Sequence, residues 1–418
     1  MKLYTSNKGV FPDDWKIVKL GSLCDLQNGY AFKSTDYVDS SNTLSCRMSN
    51  IRPDGEFDLD YHPKFLPDPY ADKYQQFLLK DNDVIIAMTD MATEPKILGV
   101  PTVVSTKGRN VLLNQRVGKL VIKDKDSIFF PYLKRVLGTN RAKQHYLRFA
   151  GGGVQINLSK EDLLSLEIPL PPLEEQRRIA AILDKADGVR RKRKEAIRLT
   201  EELLRSTFLE MFGDPVTNPK GWEVIDLGKI SQIQGGLQVT PARKELPLEV
   251  PYLRVANVYR DKLLLDEIKN IRVTSSELER INMKAGDILI VEGHGNKEEI
   301  GRSSVWDGSI ENCVHQNHLI RVRLDPDKAE PIYISAYLNS AGGRCQLTKF
   351  GKTTSGLNTI STSNVKATKV LCPPIEMQKR YLDFQRKLTE AKNASVEHLE
   401  QSENLFNSLL QRAFRGEL

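Results

Sequence analysis

Two periodicities alternate along the chain. Short apolar runs bounded by Gly, Pro, Asn and Asp occur at VIIAM (84–88), GVPTVVS (99–105), VGKLVIK (117–123), DILIVEG (287–293) and HLIRVRL (318–324). Runs of this length and punctuation predict strands. PYLKRVLGTNRAKQHYL (131–147) predicts a helix among them. After Pro171-Pro172 and again after Pro373-Pro374 the pattern becomes long, charged and helical. Pro172 stands where a first-turn proline is tolerated, Glu174 and Glu175 complement the helix dipole, and Gly213-Asp-Pro215 stops the segment. The second such segment runs from about Pro374 to Phe414, ahead of Gly416. A helix of about 40 residues rises about 60 Å, far beyond the ordinary three or four turns.

Steps of three and four along these segments predict a seam through Ile182, Ala186, Val189 and Leu203 in the first and Phe384, Leu388, Ala391 and Leu405 in the second. Such spacing is that of a coiled coil, here antiparallel. In that register Arg193 alone of the basic run 190–194 lies on the seam. Its neighbours are expected to face outward, either as a solvated helix face or toward phosphates or an acidic protein surface.

The chain also repeats itself. Trp15-Lys-Ile-Val-Lys-Leu20-Gly21 returns as Trp222-Glu-Val-Ile-Asp-Leu227-Gly228, and Arg47-Met-Ser-Asn50 as Arg254-Val-Ala-Asn257. Asp83-Val-Ile-Ile returns as Asp287-Ile-Leu-Ile, and Pro171-Pro172-Leu-Glu-Glu-Gln176 as Pro373-Pro374-Ile-Glu-Met-Gln378. A period of about two hundred residues is a tandem duplication. The predicted fold is α+β: two β-rich α/β domains in tandem (1–170 and 214–372), each followed by a long helix (171–213 and 373–418), the helices pairing as an antiparallel coiled coil about a pseudo-twofold axis. If so, the two heads stand at opposite ends of a rod, and diverged heads on a fixed spacer suit a bipartite, asymmetric DNA target.

Composition narrows the class without choosing it. The 418 residues exceed one ordinary core. Hydrophobic content of 40% and charged content of 28% describe a chain that folds in water. Against 54 Asp and Glu stand 61 Lys and Arg, a formal charge of +7 that suits a polyanion partner. The five cysteines, Cys24, Cys46, Cys313, Cys345 and Cys372, form no CxxC pair, so neither a disulfide framework nor a zinc site is expected. The start carries no signal-peptide pattern, no stretch approaches the roughly 20 apolar residues of a membrane span, and a cytoplasmic location is expected.

These residues carry a resemblance. The P-x-x-W-x-x-x-x-LG opening at Pro12 to Gly21 and its counterpart from Pro219 to Gly228, IPLPPLEEQRRIAAILDKAD (168–187), MFGDP (211–215) and AFRGEL (413–418) resemble the specificity subunit of a type I restriction-modification system over essentially the whole chain. The second copy departs from the pattern only in reading Ile-Glu-Met-Gln after its prolines. The resemblance implies two target recognition domains, no catalysis of its own, and as partners double-stranded DNA, two DNA adenine methyltransferase subunits and restriction subunits.

Base edges are read by short polar or guanidinium side chains on loops and strand ends, phosphates by Lys, Arg and backbone amides. The repeat-aligned loops supply candidates. Thr89 and Lys96 face His294, Asn296 and Lys297 in the alignment; Asn114 and Arg116 face Gln316 and Asn317; Gly153, Gln155 and Asn157 face Lys352 and Asn358. Arg47 with Asn50, and Arg254 with Asn257, suit turn stabilisation as well as readout. No catalytic tetrapeptide of the N-P-P-Y or D-P-P-Y type and no phosphate-binding loop is present, so no catalytic residue, cofactor or metal is expected. His315 and His318 resemble a metal pair with only Cys313 near them in sequence. Two other readings remain: a nuclease built on Asp83, Glu94 and Lys96 in a D…ExK layout, and a scaffold of paired domains that binds no DNA.

Overall fold

The computed structural model describes the chain apart from residues 1, 2, 7, 8, 13, 125, 150–152, 355 and 356, and describes 3–6, 9–11 and 352–354 by their backbone alone. It divides into two compact units, Met1–Arg193 with His398–Leu418, and Lys194–Glu397.

The first unit is built on a four-stranded antiparallel sheet in the order Cys24–Asn28, Val117–Ile122, Val84–Ala87, Pro101–Val103. Beside it Thr43–Cys46 pairs parallel with Asn110–Leu113 and antiparallel with Phe65–Leu66. The strand before the long helix, Glu167–Leu170, pairs antiparallel with Lys16–Lys19. The second unit repeats each element. Its four-stranded sheet runs Ser231–Gly235, Leu319–Leu324, Ile288–Val291, Ser303–Val305. Leu248–Leu253 pairs parallel with Val314–His315 and antiparallel with Lys269–Val273, and Lys369–Cys372 pairs with Glu223–Asp226. All five strand-forming runs therefore contain strands. The run 131–147 is instead two helices, Phe130–Leu137 and Asn140–Phe149. Gly138 closes the first on the Lys134 carbonyl, and the Thr139 hydroxyl accepts from the Ala142 amide to open the second, a local capping exchange that outweighs continuity of the pattern.

The long helices span Leu173–Phe212 and Ile375–Ala413. A fully buried glutamine anchors the start of each. Gln176 accepts from the Phe129 amide (2.7 Å) and donates to the Ser127 and Pro171 carbonyls; Gln378 accepts from the Glu330 amide (2.9 Å) and donates to Pro373. Alongside, the hydroxyls of Tyr132 and Tyr333 donate to the Pro169 and Leu371 carbonyls. Buried amides left unpaired cost heavily, which explains why both copies of the Pro-Pro motif keep this glutamine.

Each unit also holds the end of the other copy's helix, and the pairing of the helices is antiparallel in both. In the first unit Arg190 stacks over Phe406 at 4.4 Å, Arg193 meets His398 at 3.3 Å, and Phe414 packs on Tyr132 at 5.8 Å. In the second, Lys392 pairs with Glu201 at 2.6 Å, while Phe208 and Phe212 pack on Tyr381 at 5.6 and 5.5 Å. The glycine after each helix takes positive φ and abuts a proline: Gly213 meets Pro219, and Gly416 meets Pro12. That contact joins MFGDP and AFRGEL to the two P-x-x-W openings.

The seam differs from the expected one in phase. Val189 (43% exposed), Leu203 (46%) and Leu405 (57%) point to solvent, and Ala391 is exposed; Ile182, Ala186, Phe384 and Leu388 are half-buried. Leu183 and Phe406 are buried, and Arg190, Ile197 and Leu204 are half-buried in their place. Steps of three-then-four and four-then-three share every second position, and adjacent pairs such as Ile182-Leu183 and Leu203-Leu204 are apolar in both phases. Arg190 is accordingly turned inward, covering Phe406 and pairing with Asp187 at 3.1 Å.

Candidate nucleic-acid interface

In each unit three loops separated in sequence meet through the same backbone hydrogen bonds. The Met88 amide donates to the Arg116 carbonyl (3.0 Å), and the Leu158 amide to the Met88 carbonyl (2.9 Å). In the second unit the Glu292 amide donates to His318 (2.8 Å), and the Ile360 amide to Glu292 (2.9 Å). Short strand pairs continue the contact, Thr89–Met91 with Gln155–Asn157, and Gly293–His294 with Leu357–Thr359. Beneath them lies a second conserved geometry. Tyr30 donates to Leu113 and Gln115 to Tyr30; Leu237 donates to His315 and Asn317 to Leu237. A glycine makes this approach possible: a Cβ on Gly29 would lie 2.2 Å from the Asn114 carbonyl oxygen, and one on Gly236 2.0 Å from that of Gln316.

Side-chain bonding divides the candidates. Thr89 is buried and its hydroxyl donates to the Asn157 carboxamide oxygen (2.9 Å). Asn114 is buried and its carboxamide oxygen accepts from the Arg116 amide (3.3 Å). Lys96 is exposed and pairs with Glu94 at 3.0 Å. His294 accepts at Nδ1 from the Asn296 amide, Asn296 caps a 3₁₀ turn through the Glu298 amide, and Asn358 donates to the Gly295 carbonyl (3.1 Å). Thr89 and Asn114 are thus corrected from presented groups to internal braces: a polar residue in a loop pattern reads alike whether it faces water or the backbone. Gly153 and Lys297 are exposed. The side chain of Lys352, and residues 151 and 152 of the glycine run, lie outside the described residues. Arg116 is exposed, Gln155, Gln316 and Asn317 are half-exposed, and none of the four side chains has a hydrogen bond or ion pair among the described residues.

Other residues are structural. Asn50 accepts from the Arg47 amide (2.8 Å) and donates to the Asp58 carbonyl, and Asn257 repeats this with Arg254 and Leu264. Asp83 pairs with Lys119 at 2.7 Å, its counterpart Asp287 is buried and holds Arg323 at 2.6 Å, and buried Asp90 accepts from the Leu98 amide (2.9 Å). Among the described residues no three His, Cys, Asp or Glu side chains gather as for a metal ion. The glycines under the loops, and Glu292, escaped the sequence reading; a glycine at the same place after Cys24–Asn28 and after Ser231–Gly235 was the available signal.

His315 occupies the place of Leu113 and is fully buried; burial, then the charge of Arg321, lowers its pKa from 6.5 to about 3. The folded imidazole stays neutral while the unfolded one takes up a proton below its ordinary value. Its contribution is therefore complete above pH 6.5 and is lost as pH falls, at about 1.4 kcal/mol per pH unit until pH nears 3. His315→Leu is expected to flatten the urea-unfolding stability of the second unit between pH 6 and 4 by that slope. An unchanged slope would count against this assignment.

The model of the type I restriction modification DNA specificity domain matches twice, at residues 12–199 and 219–402. The type I restriction enzyme EcoKI specificity subunit of Escherichia coli (strain K12) is 24% identical, over 98% of this chain and 90% of that one. The type I restriction enzyme MjaVIII specificity subunit of Methanocaldococcus jannaschii is 30% identical over 49% of this chain and 47% of that one. Among solved structures, the type I restriction-modification S subunit from M. genitalium aligns with a TM-score of 0.58 at 14% identity, covering 99% and 98% of the two chains. A chain from a structural study of complex assembly and conformational transition in the type I R-M system aligns at 0.53 and 20%, covering 98% and 99%. At these identities the solved structures establish the fold. Among the described residues no helix is long and apolar enough to cross a membrane.

Proposed function

The chain belongs to the type I restriction modification DNA specificity family, and from that premise we propose that it reads an asymmetric, two-part DNA sequence, one part with each unit, and performs no chemistry itself. It holds adenine methyltransferase subunits, with restriction subunits recruited to the same cytoplasmic complex, so that an adenine in each half-site can be flipped into a partner's pocket. The observation that carries this reading is the paired interface: identical backbone bonds at Met88–Arg116 and Glu292–His318 present different side chains from the two units. A shared frame with divergent contacts is what an asymmetric site requires. The DNA-contact candidates, the domain limits 1–170 and 214–372, and the helices as methyltransferase docking elements are parts of the same proposal.

The test is a reconstituted complex with its methyltransferase. Exchange of residues 1–170 for those of a relative is expected to change one half of the methylated sequence and leave the other. An unchanged sequence overturns the modular reading. Retention of duplex DNA should fall steeply with salt, whereas a scaffold that binds no DNA shows no such dependence. Glu94→Ala should leave DNA intact or cut as before, because Glu94 pairs with Lys96 and Asp83 with Lys119.

A further inference from the structure

We infer that Arg116 is a specificity-determining residue of the first unit, reading a guanine in the major groove of its half-site; this rests on the DNA-reading function proposed above. Three observations carry it.

The first is that its guanidinium has no partner among the described residues. Arg116 is exposed and makes no side-chain hydrogen bond or ion pair among the described residues. Other arginines of the same unit are engaged: Arg109 with Asp60 at 2.7 Å, Arg135 with Asp184 at 2.6 Å, Arg52 stacked on Tyr61 at 3.8 Å. A guanidinium left unpaired on a chain with so many carboxylates has five donors available to a ligand.

The second is that its backbone is fixed. Asn114 donates its amide to Cys46 (3.1 Å), Gln115 to Tyr30 (3.0 Å) and Val117 to Asn114 (2.9 Å); the Arg116 amide reaches the Asn114 side chain and its carbonyl accepts from Met88. Gly29 packs against this loop from below so closely that no side chain fits between. An exposed side chain on a hydrogen-bonded base places its fork without ordering the loop, which is the condition for reading a base edge.

The third is position and divergence. Arg116 lies where the three loops meet, with Met88 and Leu158 beside it, and its counterpart through the same backbone bond is His318. His318 takes positive φ (70°) and donates its amide to the Glu292 carboxylate (3.1 Å). An imidazole cannot supply the two parallel N–H donors that match guanine O6 and N7, as a guanidinium can. The difference between Arg116 and His318 therefore translates into a different base demand in the two half-sites.

The experiment is methylation by the reconstituted complex of the full chain, on a panel of duplexes in which each position of each half-site is varied singly. With the unmodified subunit one position of the first half-site is expected to require guanine. Arg116→Ala is expected to lower discrimination at that position alone, by roughly five- to a hundredfold, and Arg116→Lys to restore part of the binding without the discrimination. Thermal unfolding of both variants should match the parent, since the side chain is exposed and bonds to nothing among the described residues. Uniform weakening on every duplex with a shallower salt dependence would make Arg116 a phosphate contact and overturn the inference, as would no change. Either result, obtained with a subunit whose 1–170 exchange does redirect methylation, leaves the DNA-reading function standing. An exchange without effect removes that function and the inference together.

Discussion

Gly236→Ala is expected to cost the second unit about 3 kcal/mol or more and to abolish discrimination at its half-site. The new methyl group would stand 2.0 Å from the Gln316 carbonyl oxygen and 2.7 Å from that of His315, both backbone atoms with no rotamer to yield. To relieve the clash the chain must part Leu237 from His315 and Asn317 from Leu237, the bonds that hold the 315–318 loop in the interface. Gly29→Ala makes the same demand of the first unit against Asn114 at 2.2 Å. Neither glycine has positive φ, so close approach and not backbone conformation is the cause. The check is hydrogen exchange at the amides of residues 237 and 317 together with the methylated sequence. Normal protection in Gly236→Ala would show that the loop closes by another route.

What the sequence disclosed and what it withheld follow from one distinction. Period and punctuation are properties of a chain read in one dimension, so the duplication, the strands and both long helices were legible. Phase and burial are decided by what a residue meets across the fold. Ile182 and Leu183 offered two equally apolar seams, and the fold buries Leu183, in the core cluster that holds Tyr132 and Phe406. Arg190 read as a solvated cation until Phe406 gave its guanidinium a ring to cover. Residues repeated between the halves proved to be braces: Asn50 with Asn257, Gln176 with Gln378, Tyr132 with Tyr333. On the proposed function the two units read different bases, which requires a shared frame and differing contacts. On that proposal divergence at aligned positions, as between Arg116 and His318, points to recognition, while the recurrent Arg-x-x-Asn turns take the turn-stabilising one of the two roles their sequence suited.

Phe212→Ala is the other change expected to act strongly, and it tests how the duplicated chain closes its cores. Phe212 ends the helix that begins in the first half of the sequence, yet it is buried in the second unit, against Phe208 at 5.2 Å, Tyr333 at 4.6 Å and Tyr381 at 5.5 Å. Its backbone carbonyl also accepts from the Trp222 indole (2.8 Å), tying the helix end to the P-x-x-W opening. Truncating a buried phenylalanine costs about 3–5 kcal/mol, more where rigid neighbours cannot collapse into the space, and four interlocked rings collapse poorly. The loss should appear as reduced exchange protection in Ile288–Val291, with Val84–Ala87 unaffected. Phe414→Ala should do the converse through Tyr132, weakening the first unit from four residues before the end of the sequence. Loss of protection in the same unit for both substitutions would contradict the exchange of helix ends, because the cores would then be closed by each half's own residues.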